Sequence, residues 1–328
     1  MISYTPPATP ARLPVIDLGG LASRNFAARK AVAREVHLAC RATGFFYVAN
    51  HGVPAALVED QLDCTRRFFS LPPKRKEIVH WANSSARRGY EGGGRQVLDS
   101  GSAPDLKESF YIGRNLDAEH PYVKRGLANH GPNQWPADQP GFRAQSERYF
   151  AALLELSNRL MSALALSLDL PEDWFAPMLA EPMPIMRLIH YPPQAADAPA
   201  NQFGAGAHTD WGALTLLAQD EVGGLDVQGP DGRWIRAAPI RGTFVVNLGD
   251  MIARWTNGLY HSTVHRVLNA GGRDRYSVAF FANPDHEARV ECLPTCTGPD
   301  KPPRFPPCTA GEHIEEMYRL TFAERRAA

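Results

Sequence analysis

His208 and Asp210 stand two residues apart in the stretch Ala207-His208-Thr209-Asp210-Trp211-Gly212. On an extended backbone successive side chains alternate faces, so the imidazole and the carboxylate point the same way. Such a pair supplies two-thirds of a facial 2-His-1-carboxylate set, which suits non-haem Fe(II) and leaves coordination positions open. Alone it carries little, because a strand histidine beside a loop aspartate is common. Val264-His265-Arg266-Val267 offers a second histidine inside an apolar, strand-like run. Further on, Arg275-Tyr276-Ser277 sets a permanent cation and a hydroxyl on one face of another strand.

In this order, His-x-Asp, His and Arg-x-Ser resemble the 2-oxoglutarate/Fe(II)-dependent dioxygenases of the isopenicillin N synthase-like superfamily. The resemblance implies that His208, Asp210 and His265 hold iron. It also implies that Arg275 and Ser277 hold the far carboxylate of 2-oxoglutarate, with O2 as the oxidant. Arg275 suits that part because its planar fork matches a carboxylate. Tyr191, in His190-Tyr191-Pro192-Pro193, matches a tyrosine that contacts 2-oxoglutarate in plant relatives. Those relatives often carry Asn two positions earlier, where this chain has Ile189.

The implied reaction is oxidation, foremost hydroxylation, of a small molecule, with succinate and CO2 as co-products. The intact Asp210 argues against halogenation, since related halogenases put a small residue there. PDLKES, ARWTNG, STVHRV and RYSVAFFANP are most similar to microbial members resembling thymine 7-hydroxylase. In that enzyme the equivalents of Arg187 and Phe281 contact the base, and a Tyr stands where this chain has Trp211. Arg187, Trp211 and Phe281 are therefore candidate substrate residues, although Arg187 as a structural cation and Phe281 as barrel core fit equally well. An iron oxidase or cyclase that needs no 2-oxoglutarate, like isopenicillin N synthase, is the alternative, and an ethylene-forming type is another. A non-catalytic jelly roll need not keep three iron ligands, and a zinc hydrolase would want a general base that no motif supplies.

Length and composition agree with a soluble enzyme. The chain has 328 residues, 44% of them hydrophobic and 21% charged. Lys+Arg is 35 and Asp+Glu is 35, so no net field gathers nucleic acid or anionic membrane. Arg66-Arg67 and Lys74-Arg75-Lys76 read as solvated faces. No apolar run is long enough to span a bilayer, and MISYTPPATPARLP lacks the apolar core of a signal peptide. Cys40, Cys64, Cys292, Cys296 and Cys308 are sparse and irregular, which fits free thiols in a reducing cytoplasm rather than a zinc site. A monomer or weak homo-oligomer acting on a small-molecule substrate is expected.

These residues need a scaffold of strands. Short strand-like segments from 183 onward, with turn signals such as Pro230-Asp231-Gly232, predict a double-sheet jelly roll. The family's double-stranded β-helix is that architecture, so the fold class is mixed α+β. The expected organisation is an N-terminal α/β region at 1–125, a long scaffold helix at 142–170, the jelly-roll core at 183–290 and a C-terminal extension at 291–328. Residues 24–42 and 55–70 carry helical spacing, and a last helix at about 309–325 is expected on the outside. His51 sits in a Gly/Pro turn and reads as structural. Residues 84–105, rich in Gly, Ser and Arg, predict a loop that is either a mobile lid or plain surface.

Overall fold

The structure, a computed structural model, describes residues 12–94, 104–194, 201–269 and 272–323. The first strands are β1 (Val15–Asp17), β2 (Phe45–Ala49), β3 (Gly89–Glu91), β4 (Glu108–Gly113), β5 (Ile185–Tyr191), β6 (Ala205–His208) and β7 (Leu214–Gln219). The rest are β8 (Leu225–Gln228), β9 (Trp234–Arg236), β10 (Phe244–Leu248), β11 (His265–Val267), β12 (Arg275–Ala282), β13 (Arg289–Val290) and β14 (Cys308–Thr309). The helices are α1 (Phe26–Ala42), α2 (Ala55–Phe69), α3 (Pro73–Glu77), α4 (Pro121–Lys124), α5 (Phe142–Ser167), α6 (Asp250–Trp255) and α7 (Ala310–Ala323).

Two sheets form the expected jelly roll. The larger has the order β1-β2-β10-β7-β12-β5-β4-β3 and the smaller β6-β11-β8-β9. Strands from the N-terminal third therefore extend both edges of the larger sheet, and β4 pairs directly with β5.

The two-residue period sorts each strand of the larger sheet between two cores. On β5, Met186 and Leu188 join the core beneath α1, α2 and α5, whereas Ile189 and Tyr191 join the core facing the smaller sheet. On β12, Val278 and Phe280 face the helices, and Ala279 faces the smaller sheet. Arg275 and Ser277 share the parity of Ala279, and both are fully buried. Arg275 and Ser277 thus sit on the inward face of β12, whose other face carries Val278 and Phe280. The long helix α5 buries Leu153, Leu156, Leu160 and Leu164 and closes the outer core.

Three places carry local detail that the sequence pattern does not show. Gly249-Asp250 is the start of α6, whose first amide, Asp250 N, donates to Asp210 O at 2.8 Å. A Cβ at 249 would lie 2.2 Å from Gly212 O, so only glycine lets the β10–α6 junction press against the loop that carries Asp210. Within 84–105, residues Gly89–Glu91 form β3 rather than loop, and residues 95–103 lie outside the described residues. The terminal helix α7 packs on the outside as expected, with Glu312, Glu315 and Glu316 exposed, and its inner face adds Ile314 and Tyr318 to the lining of a large cavity.

Candidate metal centre and adjoining cavities

His208 and His265 face one another directly across the antiparallel β6–β11 ladder. Their ring centroids are 4.3 Å apart. Asp210 lies just past the end of β6, and its Oδ1 is 3.9 Å from His208 Nε2 and 3.7 Å from His265 Nε2. One ligand atom from each of the three lies within 4.8 Å of the others. Among the described residues no other set of His, Cys, Asp or Glu converges in this way. His51 is elsewhere: its Nδ1 accepts from Val53 N at 3.1 Å, which bears out the structural reading.

The surroundings fix which atoms face the centre. His208 Nδ1 donates to Gly206 O at 2.7 Å and His265 Nδ1 donates to Thr263 O at 3.1 Å. Both Nε2 atoms are thereby left as lone-pair donors. Asp210 Oδ2 accepts from Thr215 Oγ1 at 2.5 Å and from Asn247 Nδ2 at 2.7 Å, leaving Oδ1 toward the imidazoles. Burial, followed by the neighbouring His265, pulls the His208 pKa down to about 3. No proton must therefore leave His208 for a metal to bind at neutral pH. Burial pushes the Asp210 carboxyl up, but His265, His208, Asn247 and Thr215 outweigh it and hold it low. Two neutral imidazoles and one carboxylate, each aimed by a hydrogen bond on its far side, fit a divalent metal with open positions.

Thr215 and Asn247 escaped the sequence reading. Their signal was a polar residue on the inward face of an apolar strand, Leu214-Thr215-Leu216-Leu217 and Val245-Val246-Asn247-Leu248. Asn247→Ala is expected to weaken metal binding by ~10–100-fold, the usual cost of an outer hydrogen-bond partner. Competition with a metal-sensing chelator measures it.

Two cavities meet at this cluster. The smaller, about 60 Å³, is lined by His208, Asp210 and His265 at one end and by Arg275, Tyr191 and Ile189 at the other. Arg275 lies 4.6 Å from the centroid of the Tyr191 ring. Its Nη1 reaches Ser277 Oγ at 3.4 Å and its Nη2 reaches Gln219 Oε1 at 3.5 Å, both long, and its buried Nε has no partner. A buried guanidinium so weakly satisfied calls for a bidentate anion. Ser277 is buried beside Arg275 and does not itself line the cavity.

Lys107, also missed, lines the same space and pairs with Asp105 at 2.7 Å. Asp105 Oδ1 in turn accepts from Gly206 N at 2.9 Å, which ties the pair to the strand carrying His208. Burial, followed by nearby Arg187, pulls the Lys107 ammonium down to about 8. Lys107 is therefore cationic below pH 8 and loses its charge as pH rises through that value. Binding of a dianion in this cavity is expected to weaken above pH 8, and Lys107→Gln should remove the dependence. Calorimetric titration of 2-oxoglutarate between pH 6.5 and 9.5 measures it.

The larger cavity, about 410 Å³, opens on the other side of His208 and Asp210. Arg187, Trp211 and Phe281 all line it, and Arg187 and Phe281 also reach the smaller cavity. Arg187 Nε donates to Ser109 Oγ at 2.9 Å, and its guanidinium lies 3.6 Å from Glu91 Oε2 and 4.8 Å from the Tyr111 ring centroid. Trp211 stacks edge-on against Tyr318 at 5.1 Å, and its carbonyl accepts from His313 Nε2 at 3.0 Å. Helix α7 thereby closes the cavity over the residue next to the candidate metal ligands.

The chain's relatives decide what this arrangement belongs to. The profile of the 2OG-Fe(II) oxygenase superfamily matches residues 182–284, and that of the non-haem dioxygenase in morphine synthesis N-terminal region matches 13–138. The 2-oxoglutarate-Fe(II) type oxidoreductase hxnY of Emericella nidulans is 40% identical over 326 residues, covering 97% of this chain and 93% of the relative. This chain belongs to the 2-oxoglutarate-Fe(II) oxygenases. Its cofactors are accordingly Fe(II) and 2-oxoglutarate, and its reaction is 2-oxoglutarate-dependent oxidation of a small molecule; an iron oxidase without 2-oxoglutarate is not favoured. The homoarginine-6-hydroxylase 2-ODD-C23 of Glycine max is 35% identical over 326 residues, covering 95% of this oxygenase and 98% of the relative. The thymine 7-hydroxylase of Neurospora crassa, solved with alpha-KG and thymine, superposes with a TM-score of 0.85 at 31% identity, covering 94% of this oxygenase and 97% of that chain. No helix among the described residues of this oxygenase is long and apolar enough to cross a membrane.

Proposed function

We propose that His208, Asp210 and His265 hold Fe(II), that the small cavity seats 2-oxoglutarate, and that the large cavity seats the molecule to be hydroxylated. The observation that carries this reading is that His208 and Asp210 line both cavities at once, with His265 on the smaller one. When bound, iron and 2-oxoglutarate would let O2 act as the oxidant, one oxygen atom ending in succinate as CO2 leaves and the other in the substrate. The protein's part is placement. Arg275 pairs with the distal carboxylate of 2-oxoglutarate, supported by Ser277 and by Tyr191 beneath the guanidinium. Thr215 and Asn247 keep Asp210 aimed at the metal. Trp211 and Phe281 present apolar walls that exclude water beside the reacting bond. Arg187, held by Ser109 and Glu91, separates the two cavities and orients polar atoms of the substrate.

Thymine itself is not the favoured substrate. The bulky Trp211 stands beside the ligands where enzymes like thymine 7-hydroxylase carry Tyr, and it narrows the space next to the metal. Five free cysteines and a balanced charge support a cytoplasmic monomer or weak homo-oligomer with no nucleic-acid or membrane partner.

Binding tests this reading without turnover. Protein loaded with Mn(II) and kept anaerobic is titrated with 2-oxoglutarate, beside protein stripped with EDTA. The expected result is one 2-oxoglutarate per chain, bound far more tightly when metal is present. Equal affinity with and without metal would separate the two sites and overturn the reading.

A further inference from the structure

The large cavity holds a cation that neither the metal centre nor the 2-oxoglutarate seat uses. Arg88 is 1% exposed and lines the cavity together with His208 and Asp210. Its Nη2 donates to Asn129 O at 2.5 Å, but its buried Nε and Nη1 have no partner. No carboxylate among the described residues pairs with it. Glu91 lines the same cavity but is taken by the Tyr111 hydroxyl at 2.7 Å and by Arg187. Arg87 stands alongside, its guanidinium carbon 4.1 Å from the centroid of the Tyr318 ring and its Nη1 likewise buried and unpartnered. The floor under Arg88 is the backbone of Gly113, where any Cβ would collide with the guanidinium, so the side chain is held in one place.

A buried guanidinium with three unpartnered N–H groups, one on Nε and two on Nη1, is costly unless something anionic completes it. Burial already draws the Arg88 pKa down to about 10, yet the group remains cationic at neutral pH. Water could satisfy the donors, but it would leave the charge uncompensated, since Glu91 in the same chamber is already taken by Tyr111 and Arg187. The apolar part of the lining, which includes Trp81, Tyr111, Ile185, Trp211, Phe281 and Ile314, suits a flat apolar body, while Asn129, Thr209 and Asn283 add polar points.

We propose that Arg88, assisted by Arg87, is the seat of a carboxylate on the prime substrate, so that the enzyme oxidises an aromatic or similarly flat carboxylic acid at the end remote from its carboxylate. This rests on the large cavity being the substrate site. Arg88 fixes the acid at one end, and the C–H bond to be attacked then lies toward His208 and Asp210 at the other. Arg88 and Arg275 would hold two different carboxylates, one in each cavity, which keeps substrate and cosubstrate from exchanging places.

The test is equilibrium binding of matched pairs to anaerobic, Mn(II)-loaded protein with 2-oxoglutarate saturating its own seat. The probes are benzoate with benzamide, phenylacetate with phenylacetamide, and cinnamate with cinnamamide. At least one carboxylate is expected to bind about tenfold or more tightly than its amide. Arg88→Gln should erase that preference and leave the affinity for the amide and for 2-oxoglutarate within about twofold. Arg87→Gln, at a half-buried position, should weaken the preference partially. A melting curve guards against misfolding: Arg88→Met, which removes an uncompensated charge, should melt no lower than the native protein without ligand. Parity within all three pairs, no binding by any of them, a preference that survives Arg88→Gln, or a marked fall in the melting temperature of Arg88→Met would each overturn the proposal. Succinate formation by the native protein without added substrate, run alongside, reports on the oxygenase reading separately. Succinate without a carboxylate preference sinks the seat alone, and a preference without succinate sinks the oxygenase reading alone.

Discussion

His208→Ala is expected to leave a folded protein that no longer converts 2-oxoglutarate to succinate. The loss should exceed the ~10–100-fold that removal of a supporting hydrogen bond costs, because a ligand atom itself is gone. His265 and Asp210 would remain with their partners Thr263, Thr215 and Asn247, but two ligands no longer define one face of an octahedron. Folding should survive, because the cluster is not what holds the sheets together. The β6–β11 ladder runs through the backbone, and the rings face a cavity rather than the apolar core. Bringing two imidazoles and a carboxylate together costs the metal-free protein solvation, the same physics that depresses the His208 pKa. The metal-free variant should therefore melt close to the metal-free native protein, whereas added Mn(II) should raise the melting temperature of the native protein alone. Thermal melts with and without Mn(II), together with a succinate assay, measure both halves. A His208→Ala variant that turns over 2-oxoglutarate normally would remove His208 from the metal.

Arg275→Ala is expected to raise the dissociation constant of 2-oxoglutarate by about 30-fold or more, the fold-change that corresponds to the ~2–5 kcal/mol cost of truncating one side of a buried, hydrogen-bonded charge pair. The argument is geometric. Arg275 is fully buried, its contacts to Ser277 and Gln219 are long, and its Nε has no partner. Such a group destabilises the empty protein and is satisfied only by a bound anion. The same substitution should therefore leave the ligand-free melting temperature unchanged or raised, while binding collapses. Arg275→Lys should recover only part of the affinity, since an ammonium cannot match two carboxylate oxygens with a planar fork. Calorimetric titration of the metal-loaded variants reads the effect. A 2-oxoglutarate affinity within about threefold of native would assign the distal carboxylate to another cation, with Lys107 first in line.

The candidate metal ligands were legible because the chemistry constrains short-range spacing. His-x-Asp and Arg-x-Ser are each local pairs, and His265 lies in a recognisable apolar strand. The strand alternation that placed Arg275 and Ser277 on one face is the same alternation that sorts Met186 and Leu188 from Ile189 and Tyr191. What escaped depends on pairings distant in sequence. Asn247 meets Asp210 through the β10–β7 ladder, and Lys107 reaches β6 through Asp105. No local pattern announces such contacts. Helix α6 was hidden because six residues are too few to show a period, and its start is set by a backbone bond to Asp210 O. Arg88 lies in the stretch 84–105 that read as either a lid or a surface loop, yet it is buried against Gly113 and Asn129. The position of α7 over the large cavity rests on tertiary packing of Tyr318 against Trp211 and Arg87, which the amphipathic pattern alone leaves undirected.

The most direct measurement is CO2 release from 1-¹⁴C-labelled 2-oxoglutarate in air by Fe(II)-loaded native protein, with succinate counted in the same tube. The expected result is one succinate per CO2, dependent on iron and oxygen and lost in His208→Ala. Iron bound by His208, Asp210 and His265 with no CO2 released under any condition would contradict the account, because the small cavity would then be no seat for 2-oxoglutarate.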